Sequence, residues 1–451
     1  MDAFGFAMAL AVLLSGAFIS TRLGFFQFTH LGRALASPFK KGGQKGGVTP
    51  FQAMATALGS SVGTANVAGV AGAILLGGPG AVFWIWVSGL IGMGTKLCEI
   101  VLAMLYRRRT PAPEGGPMYY MERGLGKVGR PLAVLFSLFG CGAALFGTAL
   151  VQSNTLALAA GGLFESLGLF GRSTLSSLMI GAAAAALTGA VVFGGARRIG
   201  RFSERAVPVM AAVYAAAAIA VIFIGRAGLP SAFLSVIRGA FGIRPAAGGF
   251  LGAGFIRAFR VGVARGVYSN EAGVGSAPIA HASSIETDPV KQGMLGIFEV
   301  FADTLVMCTL TAFAVLTSGV SIRGTDGDGM GLALRAFSSA FGAGSAAVFL
   351  SLSVLIFAFT SLVGWEFYGE RCFSYISRGK SPLLFRAAFL LLIPLGAACA
   401  PSFAWRMGEL SNYLMAMPNA AALIMLSGRA AREIRAYKMF EKSRGKSYNK
   451  R

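Results

Sequence analysis

The sequence predicts an all-α membrane protein in which about eleven helices cross a bilayer, and three observations predict it. First, 55% of the 451 residues are hydrophobic, 13% are charged and 63 are glycine, which leaves too little polar surface to clothe a soluble domain. Second, eleven apolar stretches approach or exceed the roughly 20 residues that a helix needs to cross a hydrocarbon core. Third, the basic residues behind a net charge of +22 collect in alternate connections between those stretches.

In chain order the stretches are 3–20, 49–77, 79–105, 131–161, 174–193, 206–225, 249–279, 289–318, 346–369, 383–400 and 404–427. The first opens on Met1 and Asp2 with neither a basic leader nor a small-residue cleavage site, so it reads as a retained span. Connections 21–48, 106–130, 194–206, 281–291, 370–386 and 428–451 hold 29 of the 40 Lys and Arg, whereas 162–173, 226–248, 319–342 and 401–406 hold 7. The positive-inside rule then predicts a multi-pass protein of the cell inner membrane, with its N-terminus outside and its C-terminus in the cytoplasm. Arg226, Arg238 and Arg244 in the 226–248 loop run against that assignment. Since topology accounts for the positive charge, no nucleic-acid partner is expected; the partner is the lipid bilayer. Cys98, Cys141, Cys308 and Cys399 lie in or beside spans without metal-ligand spacing, so neither a disulfide framework nor a metal cluster is expected.

Residues 1–48 form an extra N-terminal span and cytoplasmic loop, and ten spans follow as five in 49–226 and five in 249–428, with a basic tail at 429–451. The first span of each group is interrupted by glycine and polar residues, in ATALGSSVGTANVAGVAGA (55–73) and VGVARGVYSNEAGVGSAPIAHA (261–282). Charge-derived topology makes the two groups opposite in orientation, which predicts an inverted repeat with two discontinuous helices. Unwound backbone survives at membrane depth only where it faces protein, water or ligand, so two matched breaks imply one shared site. There, half-helix N-termini suit a carboxylate and freed carbonyls suit a cation. The competing explanation is close helix packing, because Gly59 and Gly63 form a GxxxG pair.

The strings GTANVAGVAGAILLGGPGAVFWIWVSGLIGMGTKLCE (63–99), GGPMYYMERGLG (115–126), VQSN (151–154), RGVYSNEAGVGSAPIAHA (265–282) and FAFTSLVGWEFYGERC (357–372) span nearly the whole chain. Through them the chain resembles the alanine or glycine:cation symporter family, which has the leucine-transporter-like fold of the amino acid-polyamine-organocation superfamily. The resemblance implies a secondary active symporter, not an enzyme, that imports a small neutral amino acid with Na+, or alternatively H+, by alternating access. It implies that Gly63, Thr64, Ala65 and Asn66 line the substrate together with Tyr268, Ser269, Asn270 and Gly273, with Tyr268 as an aromatic gate. It also implies a substrate contact from Gln152, a pocket wall from Trp365, and a sodium site made by Thr360 and Ser361 with the carbonyls of Gly59 and Val62. No cofactor is implied, and nothing bears on oligomeric state. One departure stands out: the family usually has Gly-Thr-Gly-Asn where this chain has Gly63-Thr64-Ala65-Asn66, and a methyl in a pocket shifts discrimination by about 1–3 kcal/mol.

Read by their chemistry alone, several of these residues keep alternatives open. Asn66 can serve the cation, the substrate or the unwound backbone. Gln152 and Asn154 can glue helices together. Thr360 and Ser361 can bond back to the preceding turn. Trp365 can sit in an interfacial belt. Glu99, Glu271, Glu299 and Asp303 lie at membrane depth, where ionisable groups are costly. Glu299 and Asp303 are one turn apart, so one is neutral or is paired with a base such as Arg265 or Lys96, for structure or for proton coupling. Gly124, Gly126 and Gly129 match GxGxxG without a preceding strand, and His281 is expected at an interface. The rivals to a symporter are a membrane-embedded enzyme, for which no nucleophile and base are suitably spaced, and a channel.

Overall fold

In lipid a segment must pair its own backbone, and each of the eleven stretches forms helix in the computed structural model. In chain order these are α1 (Ala3–Arg22), α2a (Pro50–Ser61) with α2b (Ala65–Gly77), α3 (Ala81–Tyr106), α4 (Gly126–Glu165), α5 (Thr174–Val192) and α6 (Gly195–Ile224). Then follow α7a (Ala253–Asn270) with α7b (Ala277–Ala282), α8 (Pro289–Thr317), α9 (Ala343–Ile376), α10 (Pro382–Ala398) and α11 (Pro401–Tyr448). The structure describes residues 3–39, 47–108, 113–166, 168–169, 171, 173–241, 253–321 and 329–448, which apart from two isolated bridges contain no strand. Arg244 and the expected start of the second group at residue 249 lie outside them.

Eight of these helices are long and apolar enough to cross a membrane, and the bent pair α2a/α2b makes nine. Their outer faces are apolar where a soluble protein would be polar: Leu187, Val209, Val213 and Leu391 are each more than half exposed. The chain is a multi-pass membrane protein.

Where the structure differs from the sequence reading, helix runs past the hydropathy. α6 begins eleven residues before the expected 206, because Arg197, Arg198, Arg201 and Arg205 are good helix formers that hydropathy counts as loop. The 429–451 tail is no separate segment, since α11 continues to Tyr448. At 1.5 Å per residue its 48 residues reach about 72 Å, beyond the roughly 30 Å core, and an Arg33–Glu441 ion pair ties the far end to the helix Leu31–Ala36. The connections 226–248 and 319–342 contain the helices Leu229–Ala240 and Gly329–Phe341.

Two features position the site. Thr49 starts α2a with a capping box, its hydroxyl accepting from the Gln52 N–H and the Gln52 side chain accepting from the Thr49 N–H, both at 3.1 Å. The helix stops where Val62 turns extended (φ −68°, ψ 108°), and α2b leaves at a 51° bend. Secondly, α2a packs on α7b while α2b packs on α7a, so the two broken helices run antiparallel with their breaks side by side. α9 covers α2a and α7b, and α3, whose apolar window is 83% buried, runs behind α7.

Candidate functional site

At the first break, Asn66 is fully buried and its amide does three jobs. Its Oδ1 accepts from the Gly63 N–H at 2.8 Å, and its Nδ2 donates to Asp303 Oδ1 at 2.8 Å and approaches the Ser269 hydroxyl at 3.3 Å. Of the three roles open to Asn66, the structure therefore shows the backbone one: the side chain replaces a hydrogen bond lost where α2a ends. Ser269 in turn donates to Asp303 Oδ2 at 2.8 Å, as does Thr304, so one carboxylate collects both breaks. Thr64 is buried, and Ala65 is half-buried on the same face as Ala68, which lines a cavity of about 610 Å³ along α2b.

The second break is built on positive φ at Glu271 (52°), Gly273 (90°) and Gly275 (92°). Left-handed geometry is unusual for a non-glycine residue, and Glu271 is held there by its side chain, which accepts from Ser276 Oγ at 2.5 Å and from the Trp365 indole at 3.2 Å. Asn270 Oδ1 accepts from the Ala272 N–H at 3.0 Å, and Asn419 Nδ2 donates to the Gly273 carbonyl at 2.9 Å and to Glu99 at 2.6 Å. Trp365 is 2% exposed, so the interfacial-belt alternative is overturned.

Lys96 Nζ lies 3.1 Å from Glu299, which also accepts from His281 Nε2 at 3.1 Å, while Gln292 donates to His281 Nδ1 at 2.8 Å. This corrects two expectations. His281 is fully buried and hydrogen-bonded between Glu299 and Gln292, and is not an interface residue. Arg265 pairs with Glu409 at 3.8 Å instead of with Glu299 or Asp303.

Four expected residues come together on the α9 side of the first break. Ser361 Oγ lies 3.2 Å from the Ser60 carbonyl and 3.4 Å from the Gly59 carbonyl. A Cβ placed on Gly63 would come 3.3 Å from Ser361 Oγ and 4.0 Å from Gln152 Nε2, so the three groups meet at this break and a side chain there would crowd Ser361. Gln152 Oε1 is buried with no hydrogen-bond donor among the described residues, one turn from Thr155, which lines the 610 Å³ cavity. Asn154, by contrast, glues helices: its Nδ2 donates to the Cys399 and Gly396 carbonyls at 2.7 and 3.3 Å. Thr360 bonds back to Phe357 at 2.9 Å, yet its hydroxyl keeps acceptor capacity, and its Cβ lies 3.5 Å from where a Gly59 Cβ would stand. Where Val62 was expected beside the hydroxyl pair, the carbonyl that Ser361 reaches besides Gly59 is that of Ser60. Tyr268 faces Trp405 at 6.2 Å between ring centroids, and Trp405 and Arg265 line the same cavity.

Sequence reasoning missed Glu366, whose side chain is fully buried with neither oxygen hydrogen-bonded among the described residues and Arg386 Nε 4.0 Å away, and Asn419, a polar residue in an apolar span. It also missed three π-helical turns, Ala65–Gly69, Ala143–Thr148 and Phe301–Met307, the first and last of which carry Asn66 and Asp303. Such turns recur at functional sites, but hydropathy does not register them. No group of three or more His, Cys, Asp or Glu side chains suited to a metal ion occurs among the described residues.

Antiparallel broken helices around a buried polar junction define a class, the transporters with discontinuous helices. The fold agrees: the crystal structure of MhsT in complex with L-phenylalanine superposes with a TM-score of 0.51 at 16% identity, over 88% of this chain and 99% of that one. The profile of the sodium:alanine symporter family matches residues 2–451. The sodium/alanine symporter AgcS of Methanococcus maripaludis is 36% identical over 449 residues, 98% of this chain and 96% of that protein. An uncharacterized transporter of Haemophilus influenzae is 39% identical over 443 residues (97% and 94%), and the Bacillus subtilis protein named "Probable sodium/glutamine symporter GlnT" is 37% identical over 430 (93% and 85%). The chain belongs to the sodium:alanine symporter family; it is a transporter and not an enzyme.

Proposed function

We propose that this chain imports a small neutral amino acid, alanine or glycine, together with Na+ by alternating access around the two breaks. The observation that carries the reading is the Gln152 side chain, whose Nε2 lies beside Gly63 and whose Oε1 is a buried acceptor without a donor among the described residues. An unsatisfied buried acceptor costs about 1–3 kcal/mol, which a bound ammonium group relieves. The substrate carboxylate then meets the N-terminal amides of α2b other than the Asn66 N–H, which donates to the Gly63 carbonyl at 3.1 Å. Thr64 and Ala65 open that turn, Ser269, Asn270 and Gly273 shape the facing break, Trp365 limits side-chain size and Tyr268 gates the cavity. The Gly63 N–H is not among the donors, since Asn66 takes it.

In the same reading Na+ sits between α2a and α9, held by Thr360 and Ser361 with the carbonyls of Gly59, Ser60 or Val62. Neutral hard oxygens suit a monovalent ion that must be released. The ion orders the break and thereby raises substrate affinity, and linkage makes the effect reciprocal. Residues 49–226 and 249–428 act as inverted repeats in a cell inner membrane, the N-terminus outside and the C-terminus in the cytoplasm; the antiparallel breaks and the Arg/Lys asymmetry support this. AgcS supports the alanine and sodium parts of the reading by name. Proteoliposomes with imposed gradients test it: radiolabelled alanine or glycine accumulates only with Na+ high outside. Equal accumulation with choline replacing Na+ at fixed pH removes sodium from the reading, and a proton gradient that drives it alone replaces Na+ with H+.

A further inference from the structure

A groove of about 1490 Å³ opens on the lipid side between α4, α5, α6 and α9. One end is cationic. Arg198, Arg201 and Arg205 are spaced along α6 so that they share one face, all three are exposed, and none is paired with a carboxylate among the described residues. Beyond them the same face continues as Ala206, Val209 and Val213. α9 runs antiparallel alongside: Phe202 meets Phe359 at 5.4 Å between ring centroids, and Tyr214 meets Phe349 at 6.5 Å. From Phe359 to Phe349 the apolar wall is thus about 15 Å long, half of a roughly 30 Å hydrocarbon core. Met210 forms the floor, with its sulfur 3.9 Å from the Thr360 hydroxyl.

We propose that this groove is a binding site for an anionic phospholipid, its acyl chains along the apolar wall and its phosphate on Arg198, Arg201 and Arg205. Charge complementarity and one-leaflet length select this occupant. A zwitterionic lipid brings its own cation beside three guanidiniums and no net negative charge, and a free phosphate leaves the apolar wall open. Val209 at 63% and Leu187 at 60% exposure are surfaces for chains to cover, and guanidiniums reach the headgroup level on their own apolar stems. The inference is independent of which solute is carried.

The test reconstitutes the full chain in nanodiscs of phosphatidylcholine and phosphatidylglycerol at equal fractions and counts retained lipids by native mass spectrometry. The wild type is expected to retain phosphatidylglycerol about tenfold or more over phosphatidylcholine, and the Arg198→Gln/Arg201→Gln/Arg205→Gln variant to lose that preference. Val209→Trp, a change at an exposed position that keeps the charges, is expected to cut phosphatidylglycerol retention severalfold by filling the groove. Unchanged preference in the triple variant, unchanged retention in Val209→Trp, or displacement of the lipid by millimolar inorganic phosphate alone would each overturn the proposal. So would a dimer cross-linked groove to groove through Leu352→Cys, which would make a second copy the occupant.

Discussion

Ser361→Ala is the sharpest perturbation of the proposed cation site. It removes one oxygen and little volume, and that oxygen alone bridges α9 to the carbonyls of Gly59 and Ser60 at 3.4 and 3.2 Å. An ion that loses one neutral ligand to a methyl cannot recover it from water at a fully buried position, a cost of about 1–3 kcal/mol. That is about a 5- to 150-fold rise in the sodium midpoint. Thr360→Ala is expected to raise it as well, because that hydroxyl donates to Phe357 and so leaves its lone pairs free for the ion. Substrate affinity should fall at limiting sodium in both variants and recover at saturating sodium, since the coupling is reciprocal. Gln152→Ala should lower substrate affinity at every sodium concentration, because it removes a direct contact. The assay is alanine binding to purified protein across a sodium series. A monodisperse Ser361→Ala protein with an unmoved sodium midpoint would refute the reasoning and leave the hydroxyl pair as helix packing.

Three further outcomes follow from the same geometry. Ala65→Gly removes a half-buried methyl from the cavity side of the break and should shift competition among glycine, alanine and larger neutral amino acids by about 5- to 150-fold, the equivalent of 1–3 kcal/mol; a superimposable profile would place Ala65 away from substrate. Asn66→Ala strands the Gly63 N–H and Asp303 Oδ1, so thermal stability should drop by the equivalent of about 1–3 kcal/mol, whereas unchanged melting would mean that the break is held elsewhere. Lys96→Met or Glu299→Gln alone should each cost about 3–5 kcal/mol by leaving one buried charge uncompensated, and the double variant should regain much of it; additive losses in thermal melts would count against the pair.

Much of this molecule was legible because membrane helices announce themselves through length and charge asymmetry, and because a break needs glycine. Eleven stretches and both breaks were expected from residues read in order, whereas a shared site for Gly63, Ser361 and Gln152 was expected only through the family resemblance. Less legible was what closes each break. Asn66 could be read three ways because its amide is chemically symmetric with respect to backbone, ion and substrate; only the 2.8 Å contacts to Gly63 and Asp303 separate them. His281 was misread because hydropathy places it at a span end, while the turn after Gly275 carries it inward to Glu299. The arginines of α6 were misread as loop because their charge hides a helix.

The two breaks are secured by different chemistry, and that difference bears on which part yields. The second break is keyed by the Glu299–Lys96 ion pair to α3, with hydrogen bonds from Trp365 to Glu271 and from His281 to Glu299, all fully or almost fully buried. A buried ion pair is hard to open because each separated partner would face hydrocarbon. The first break is tied to the Asp303 carboxylate through Asn66 at 2.8 Å on one side, but toward α9 it is held by the Ser361 hydroxyl at 3.2–3.4 Å, near the long limit for a hydrogen bond. Weak neutral contacts exchange at little cost, so the α2a–α9 seam is where a bound cation changes the balance most. The ion-paired break is the fixed half against which that seam works, and variants of Lys96 and Glu299 should therefore show in melting temperature, while variants of Ser361 show in the sodium dependence.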